Sequence, residues 1–252
     1  MNELAQRGRN AVESLLGFFF PNVCQLCGEN RAGRAEGYVC AGCRCQVKFV
    51  LPPCCDRCGL PFEGDIATTF ECSNCREMEL HFSQARAAAI ANDFLLDVIH
   101  RYKYSQAVWF EPFLAELLVR EAAPGLRASR WEVVVPVPLH PVKEREREFN
   151  QATRLAGHLA TAAGLRLNTK LLRRVLPTRT QTKLTRKARA ANVARAFALR
   201  DGAVLRGERV VLVDDVLTTG ATTSAAAKVL MDGGAGEVCV WTLARGVLGT
   251  RL

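Results

Sequence analysis

A pair of adjacent carboxylates beside a hydroxyl-rich turn is the part of this sequence best equipped for chemistry. Asp214 and Asp215 follow the apolar run 210–213, and the turn Thr218-Thr219-Gly220-Ala221-Thr222 comes after them. The backbone N–H groups of such a turn, with the N-terminus of the alanine-rich helix that should follow, form an anion site. Carboxylates beside a phosphate need sugar hydroxyls or a bound cation, because alone they would repel the ligand. The stretch therefore predicts a site for a phosphate and a diol; the alternative is that Asp215 and the threonines only cap the helix.

Eight of the eleven cysteines form four Cys-x-x-Cys pairs between residues 24 and 75. Two such pairs fill the four positions of a tetrahedral zinc, and a site closed by four thiolates leaves no position for a substrate. The spacing predicts two structural zinc ions, with a dithiol switch at one pair as the alternative. Sequential quartets are the simplest pairing, although the spacing also allows a crossed one. The predicted ligands are Cys24, Cys27, Cys40, Cys43, Cys55, Cys58, Cys72 and Cys75.

The three remaining cysteines are not expected to bind metal. Cys45 and Cys54 are spare thiols, and Cys239 lies in an apolar run that reads as a buried strand. Cysteines used as metal ligands rather than disulfides indicate a reducing compartment. The apolar run 15–20 is too short for a signal sequence or a transmembrane segment, so a cytoplasmic protein is expected.

Positive charge is concentrated in one part of the chain. Of 252 residues, 49% are hydrophobic and 23% charged, as in a soluble globular protein, and the net charge is +9. No acidic residue lies between Glu148 and Asp201, where twelve Lys and Arg residues occur. That segment could bind a pyrophosphate or a nucleic acid backbone, or be a solvated surface. No aromatic residue occurs between Phe149 and Phe197, which weakens base stacking as a mechanism.

The elements that must position these residues are a set of strands and helices. The apolar run 210–213 indicates a strand buried on both faces of a parallel sheet. Strands are predicted at 85–91, within 131–137, and at 171–175, 204–213 and 237–243. Helices are predicted at 3–20, 93–104, 108–122, 151–163 and after Thr222, with a loop at Ala123-Pro124-Gly125.

A second candidate loop leaves the strand within 131–137. Pro136-Val-Pro-Leu-His-Pro141 is stiffened by prolines and followed by basic residues that include Arg147. This loop, with Pro138 and Leu139, is a candidate to bind a pyrophosphate group of the same ligand. His140 is expected to hydrogen-bond its own turn rather than to act in catalysis.

The stretch 210–223 resembles the ribose-phosphate-binding motif of the type I phosphoribosyltransferases. The resemblance implies an α/β fold with a mostly parallel sheet flanked by helices. It also implies that Asp214 and Asp215 hold the ribose 2- and 3-hydroxyls of phosphoribosyl pyrophosphate. Thr218, Thr219, Gly220, Ala221 and Thr222 would then wrap its 5-phosphate.

The loop 136–151 narrows the resemblance to the ComF family, a competence-associated branch of these transferases with an N-terminal zinc ribbon. PVPLHP followed by Arg-x-Arg-x-Phe-Asn-Gln is similar to the family pattern, except that glycine usually occupies the position of Glu148. A second match lies in the polar segment 177–189 and just beyond it. The matching residues are Thr178, Gln181, Leu184, Arg189, Asn192 and Val193.

The resemblance implies a function and a division of the chain. Residues 177–189 would form a mobile lid, and the reaction would displace pyrophosphate from ribose C1 by a nitrogen nucleophile, with magnesium bound beside the ligand. Arg147, Lys183 and Arg189 would grip the pyrophosphate, and Gln181 would contact substrate. The expected units are an amphipathic helix at 1–20, a double zinc ribbon at 21–80 and a transferase-like domain at 81–252.

A biological role in DNA uptake also follows from this resemblance. The chain would transfer or sense the phosphoribosyl group, and single-stranded DNA or DNA-uptake proteins are possible partners. The alternative is a non-catalytic, zinc-containing accessory of natural transformation that binds single-stranded DNA. The acceptor substrate and the oligomeric state do not follow from the sequence.

Overall fold

A computed structural model describes residues 22–62, 64, 70–176 and 195–247. These described residues contain seven strands: β1 Gln84–Ile90, β2 Val133–Pro136, β3 Arg166–Leu167, β4 Leu172–Arg174, β5 Phe197–Leu199, β6 Arg209–Leu217 and β7 Glu237–Arg245. The α-helices are α1 Ala41–Arg44, α2 Ser73–Glu77, α3 Asp93–Tyr104, α4 Glu111–Arg127, α5 Pro141–Arg147, α6 Gln151–Ala163 and α7 Ala221–Asp232. Short 3-10 helices occupy Arg34–Glu36 and Val108–Phe110. The predicted helix 3–20 and lid 177–189 lie outside the described residues.

The main sheet has the strand order β1-β7-β6-β2-β3, and all of its pairs are parallel. A separate antiparallel pair joins β4 to β5. Helices and the cysteine-rich segment cover the sheet, and this confirms the predicted α/β class with a mostly parallel sheet flanked by helices. The adjacent strands β6 and β2 connect in opposite directions. The chain runs from β6 to β7 on one side of this pair, and from β2 to β3 on the other side. Ligands of open parallel sheets bind at such a switch point, at the carboxyl ends of the strands.

The two faces of the sheet are covered differently. Because side chains alternate along a strand, Val211 and Val213 of β6 pack with α3, α4, α6 and the first cysteine quartet. Val210 and Leu212 pack with α7 and the second quartet. A strand buried on both faces is uniformly apolar, as residues 210–213 of β6 are.

Two predicted boundaries are wrong. The strand predicted at 204–213 begins at Arg209 and continues to Leu217, because β7 pairs with it as far as the register Leu217↔Arg245. Its other neighbour, β2, pairs only as far as Pro136↔Val213. Asp214 therefore comes after the last β2 pairing, at the carboxyl edge of the sheet, although it still belongs to β6.

The loop predicted at Ala123-Pro124-Gly125 is also wrong, since α4 runs through Pro124 to Arg127. Proline in a helix interior costs about 3 kcal/mol. Ala122, Ala123 and Leu126 are nevertheless fully buried on this turn. Their burial holds the last turn of the helix in place.

A polar network around the carboxylate of Glu111 joins three of the helices. The carboxylate of Glu111, at the start of α4, accepts hydrogen bonds from Arg154 (2.7 Å) and Tyr102 (3.2 Å) and lies 2.9 Å from Nε2 of His158. Burial opposes ionisation of Glu111, but these hydrogen bonds outweigh it and lower its pKa to about 2. The network fixes α3 and α6 against α4 behind the carboxyl edge.

The open edge of β1 is covered by the cysteine-rich segment. Residue Phe49 forms an antiparallel bridge with Ala89, and the N–H of Ile90 donates to the carbonyl of Lys48 at 2.7 Å. Further along the strand, the N–H of Ala85 donates to the carbonyl of Arg57 at 2.7 Å. In the described parts of the chain, no helix is long and apolar enough to cross a membrane.

Candidate functional site

Two clusters of four cysteine sulfurs lie in the N-terminal segment. The first cluster is Cys24, Cys27, Cys40 and Cys43, and the second cluster is Cys55, Cys58, Cys72 and Cys75. The sequential pairing is confirmed and the crossed alternative is wrong. Sulfur–sulfur distances of 3.7 Å and 3.8 Å in the first cluster, and of 3.5 to 3.8 Å in the second, match the ~3.8 Å expected around a tetrahedral zinc.

The electrostatics of each cluster also favour a bound cation. Burial, with the neighbouring sulfurs, raises the pKa of Cys43 and of Cys75 far above the usual range of a thiol. In contrast, hydrogen bonds from the backbone of Asn30 and Glu29 lower the pKa of Cys27 to about 6. Four thiolates facing one another are stable only around a metal ion, so both clusters fit structural zinc. Cys239 is buried in β7, as predicted.

Asp214 and Asp215 point to opposite faces of the sheet, because they are neighbours in β6. Asp215 is buried, and its Oδ2 lies 2.6 Å from Nζ of Lys103 and accepts a hydrogen bond from Nε2 of Gln151 at 2.9 Å. Helix α3 supplies Lys103 and helix α6 supplies Gln151. Asp215 does not cap helix α7; it is held in a buried ion pair beside the site.

Asp214 is partly buried and lies at the end of the β2–β6 pairing. Burial, followed by the charge of Asp215, raises its pKa to about 7, although Lys103 and Arg174 act in the opposite direction. Its Oδ1 accepts a hydrogen bond from the N–H of Asp215 at 2.9 Å. The folded chain thus holds a carboxylate that a diol or a cation would stabilise.

The hydroxyl-rich turn, which we call the anion loop (Thr218 to Thr222), connects β6 to α7. Gly220 has φ +87° and precedes the first helical residue, and Oγ1 of Thr219 accepts a hydrogen bond from the N–H of Ala221 at 3.3 Å. Among the described residues, none supplies an acceptor to the backbone N–H groups of Thr218, Thr219 and Gly220. Three successive N–H groups next to a helix N-terminus form an anion site.

The loop 136–150 lies beside the anion loop at the same edge of the sheet. The N–H of Val137 donates to the carbonyl of Val213 at 2.8 Å, and Nδ2 of Asn150 donates to the carbonyl of Val137 at 3.1 Å. Pro138 and Leu139 follow this anchor and are partly exposed. His140 caps α5, since its Nδ1 accepts from a backbone N–H two residues later, so the role expected for it is confirmed.

Helix α5 ends at Arg147, whose guanidinium reaches two neighbours. It donates to Oε1 of Gln151 at 3.1 Å and to the hydroxyl of Tyr104 at 2.8 Å. Gln151 in turn donates to Asp215, so Arg147 is two hydrogen bonds away from the carboxylate pair. Glu148, the next residue, has φ +66°. This left-handed conformation explains why glycine suits that position.

Three cations lie close enough to affect one another. Burial and the charges of Arg174 and Arg147 lower the pKa of Lys143. The pKa of Arg174 is lowered by burial, raised by the charge of Asp214 and lowered by that of Arg147. This excess of positive charge beside Asp214 favours a bound anion.

The structure brings most of the predicted site residues to one edge of the sheet: Asp214, Asp215, the anion loop, Pro138, Leu139 and Arg147. Arg189, Gln181 and Lys183 lie outside the described residues. Sequence reasoning missed Lys103 and Arg174 as site residues. Gln151 belongs to the Phe-Asn-Gln end of the ComF-like pattern, and that pattern could have identified it as a site residue. A lysine is favourable in the last turn of any helix because of the helix dipole. The presence of Lys103 in α3 therefore did not indicate a functional site.

Comparisons with known proteins agree with this organisation. The family model of the double zinc ribbon domain matches residues 15–78. The chain is similar to competence protein F of Haemophilus influenzae, with 33% identity over 90% of this chain and 98% of that protein. It is also similar to the DNA utilization protein YhgH of Escherichia coli K12, with 29% identity over 89% and 97%.

More distant matches extend to another competence protein and to a solved structure. Competence protein ComFC of Bacillus subtilis is 28% identical over 82% of this chain and 84% of its own length. The adenine phosphoribosyltransferase of Leishmania tarentolae matches 57% of this chain and 74% of its own, at 16% identity and a TM-score of 0.35.

Proposed function

From the premise that this chain belongs to the ComF family, the family of competence protein F, we propose that it binds phosphoribosyl pyrophosphate with magnesium and acts in the uptake or use of DNA. The names of its relatives, competence protein and DNA utilization protein, support the biological role. The site at the carboxyl edge of the sheet supports the ligand. We further propose that the bound phosphoribosyl group is transferred to a nitrogen nucleophile or sensed.

The observation that carries this proposal is the position of Asp214 beside the anion loop. The N–H groups of Thr218, Thr219 and Gly220 have no acceptor among the described residues, so they suit a 5-phosphate. Asp214, a short distance along the chain, suits the ribose hydroxyls, which donate hydrogen bonds to a carboxylate. One ligand that carries both a phosphate and a diol accounts for both features.

The diphosphate end of the ligand would meet the positive charges around Asp214. Arg174 interacts electrostatically with Asp214, Lys143 and Arg147 lie close to Arg174, and the segment that contains Lys183 and Arg189 is rich in further cations. Arg147 is held by Gln151 and Tyr104, so it needs little reordering to contact a diphosphate oxygen. A lost charged contact would cost about 1.5 to 3 kcal/mol.

The chain's own contribution to transfer would be positioning and charge. Asp214 would orient the ribose, the anion loop would anchor the phosphate, and the cations would stabilise charge that develops on the departing diphosphate. Asp215 would keep Asp214 in place, because Lys103 and Gln151 fix its carboxylate. A carboxylate and ligand oxygens are the donors that magnesium prefers, and magnesium would neutralise charge on the diphosphate.

Titration calorimetry with phosphoribosyl pyrophosphate and magnesium chloride tests the proposal. Wild type should bind, and Asp214→Asn should bind at least tenfold more weakly, because the amide accepts weaker hydrogen bonds from the ribose. Asp232→Asn is a matched control, since Asp232 is exposed at the other end of α7. Absence of binding by wild type, or equal losses in both variants, would refute the site.

Transfer and sensing are separated by the release of pyrophosphate. Labelled phosphoribosyl pyrophosphate would be incubated with wild-type protein and with a panel of nucleobases and small amines. A transferase releases pyrophosphate only with its acceptor, and Asp214→Asn should abolish that release. Binding without release for any acceptor would favour the sensing function.

A second candidate function is the binding of single-stranded DNA. The observation that favours it is the segment between Glu148 and Asp201, with twelve basic and no acidic residues. A shift assay over a series of salt concentrations should show a steep salt dependence that becomes shallower when Arg186, Lys187 and Arg189 are changed to Ala. Lys228→Ala, at an exposed position of α7, is the control. Equal slopes for all proteins would exclude this surface.

A further inference from the structure

Arg245 is a charged side chain enclosed in the interior at the carboxyl end of β7, where it is 2% exposed. Its Nε donates to the carbonyl of Cys58 at 3.1 Å, and its Nη2 donates to the sulfur of Cys58 at 3.3 Å. Its Nη1 donates to the carbonyls of Leu217 (3.0 Å) and Thr218 (2.6 Å), and to that of Gly246 (2.7 Å). One side chain therefore joins a ligand of the second cluster to the start of the anion loop.

The charge of this guanidinium is balanced in an unusual way. Removing a charge from water is costly unless an opposite charge lies nearby. Within the ranges that the structure describes, no carboxylate oxygen lies within 4.0 Å of Arg245. The sulfur of Cys58 is the group in contact that can carry negative charge. A zinc ion with four thiolates carries two net negative charges, so a loaded second cluster neutralises Arg245.

A second side chain makes a parallel connection. Asn74 lies between the ligands Cys72 and Cys75, is buried, and donates from Nδ2 to the carbonyl of Thr219 at 3.1 Å. Together, Arg245 and Asn74 hold the carbonyls of Leu217, Thr218 and Thr219. The backbone of the anion loop is thus fixed on its carbonyl side by groups that depend on the second cluster.

The first cluster has a different neighbour. Arg44, next to the ligand Cys43, pairs with Glu116 at 2.7 Å and lies over the ring of Phe113, both in α4. Its cysteines Cys24, Cys40 and Cys43 belong to the core on the opposite face of the sheet from α7. The chain therefore contains an internal control, because only the second cluster contacts the anion loop.

We infer that Arg245 is a positioning residue that couples zinc at the second cluster to anion binding at the anion loop. The inference rests on the proposed function for the identity of the anion. Zinc at the second cluster balances the charge of Arg245, and Arg245 in turn fixes the loop in the form that binds phosphate. Coupling between two sites is reciprocal, so a bound phosphoribosyl pyrophosphate must tighten zinc binding at the second cluster by the same factor.

The release of zinc from the full-length, zinc-loaded protein to a chromogenic chelator tests this coupling. Cys27→Ser removes the first cluster and so assigns the release phases of the two ions. Phosphoribosyl pyrophosphate with magnesium chloride should slow release from the second cluster about fivefold or more and leave the first unchanged. Magnesium chloride alone is the control and should have no effect on either phase.

Variants of Arg245 separate its charge from its hydrogen bonds. Arg245→Met should speed ligand-free release from the second cluster about tenfold and abolish the protection by the ligand. Arg245→Lys keeps the charge, so ligand-free release should stay within about twofold of wild type while ligand binding weakens. If Arg245 were purely structural, Arg245→Lys would not preserve ligand-free zinc release while weakening ligand binding.

Asn74→Leu keeps the coupling testable if Arg245→Met does not fold. It should leave ligand-free zinc release unchanged, because Asn74 carries no charge, and should weaken ligand binding several-fold. Two results for the wild-type protein would overturn the inference but not the proposed function. One is that the ligand slows zinc release equally at both clusters. The other is that the ligand slows release at neither cluster although calorimetry shows that it binds. Absence of ligand binding by wild type would overturn both.

Discussion

Asp214→Asn should stabilise the folded chain while it weakens ligand binding at least tenfold. A pKa of about 7 in place of the usual 3.8 means that the folded protein resists ionisation of this carboxyl group. The difference corresponds to at most about 4 kcal/mol at pH well above 7, where the native state carries the cost of a partly buried charge beside Asp215. Asparagine has nearly the same shape and carries no charge, so the variant avoids that cost.

The sign of the pH dependence follows from proton binding. Between pH 3.8 and about 7 the folded state holds a proton on Asp214 that the unfolded state has lost, so stability falls as the pH rises through this window. Asp214→Asn removes this loss. Its advantage over wild type should therefore grow by about 2 kcal/mol between pH 5.5 and pH 8.5.

Urea unfolding of the zinc-loaded proteins across that pH range provides the measurement. Asp232→Asn should show no such trend, because Asp232 is exposed and pairs with Lys228, which is exposed as well. A constant difference between Asp214→Asn and wild type at every pH, or a loss of stability at pH 8.5, would refute the reasoning. A gain in stability joined to a loss of binding is expected of a residue retained for its function.

Three further predictions concern stability and can be measured by urea or thermal unfolding at pH 7. Glu148→Gly should stabilise the protein by about 1 kcal/mol because φ is +66° there. Glu146→Gly, two residues earlier in helix α5, should destabilise it by a similar amount. Changes in stability of the same sign for both variants would contradict the conformational argument. Glu111→Gln should cost about 1.5 kcal/mol, since solvent screens its exposed partners Arg154 and His158. The contribution of Glu111 is complete above pH 4.5 and lost as the pH falls towards 2. A loss under about 0.5 kcal/mol would show that its hydrogen bonds contribute little. Gly59→Ala should destabilise more than Gly28→Ala by at least 1 kcal/mol, because both glycines have positive φ but only a Cβ at Gly59 would lie 2.8 Å from a backbone carbonyl; equal effects would mean that the backbone moves freely.

The features that the sequence predicted well are those encoded over short distances along the chain. Cys-x-x-Cys turns identified both zinc clusters, and helical periodicity gave the helices at 93–104 and 151–163 with their bounds. The anion loop was likewise readable, because a strand, a small-residue turn and a helix follow one another directly. The assignments of roles to Asp214, Arg147 and the anion loop stay predictions until a ligand is tested.

The features that could not be predicted from the sequence depend on residues far apart in the chain. The contact between Lys103 and Asp215 exists only because α3 and β6 meet in the fold. The same holds for Arg245, whose burial is set by Cys58 and by the end of β6. Pro124 remains helical because its neighbours are buried, although the helix propensity of proline opposes a helix at that position. The end of β6 depended on which neighbouring strand continued beside it.

The covering of strand β1 by the cysteine-rich segment has a consequence for the behaviour of the metal-free protein. β1 is an alanine-rich strand at the margin of the sheet, and its N–H groups donate to the carbonyls of Lys48 and Arg57, which belong to the segment that the two clusters fold. Without metal, that segment loses its cross-links and the N–H and C=O groups of β1 become available to other molecules. Chelation should therefore lead to aggregation through strand pairing, so the zinc ions protect solubility as well as shape.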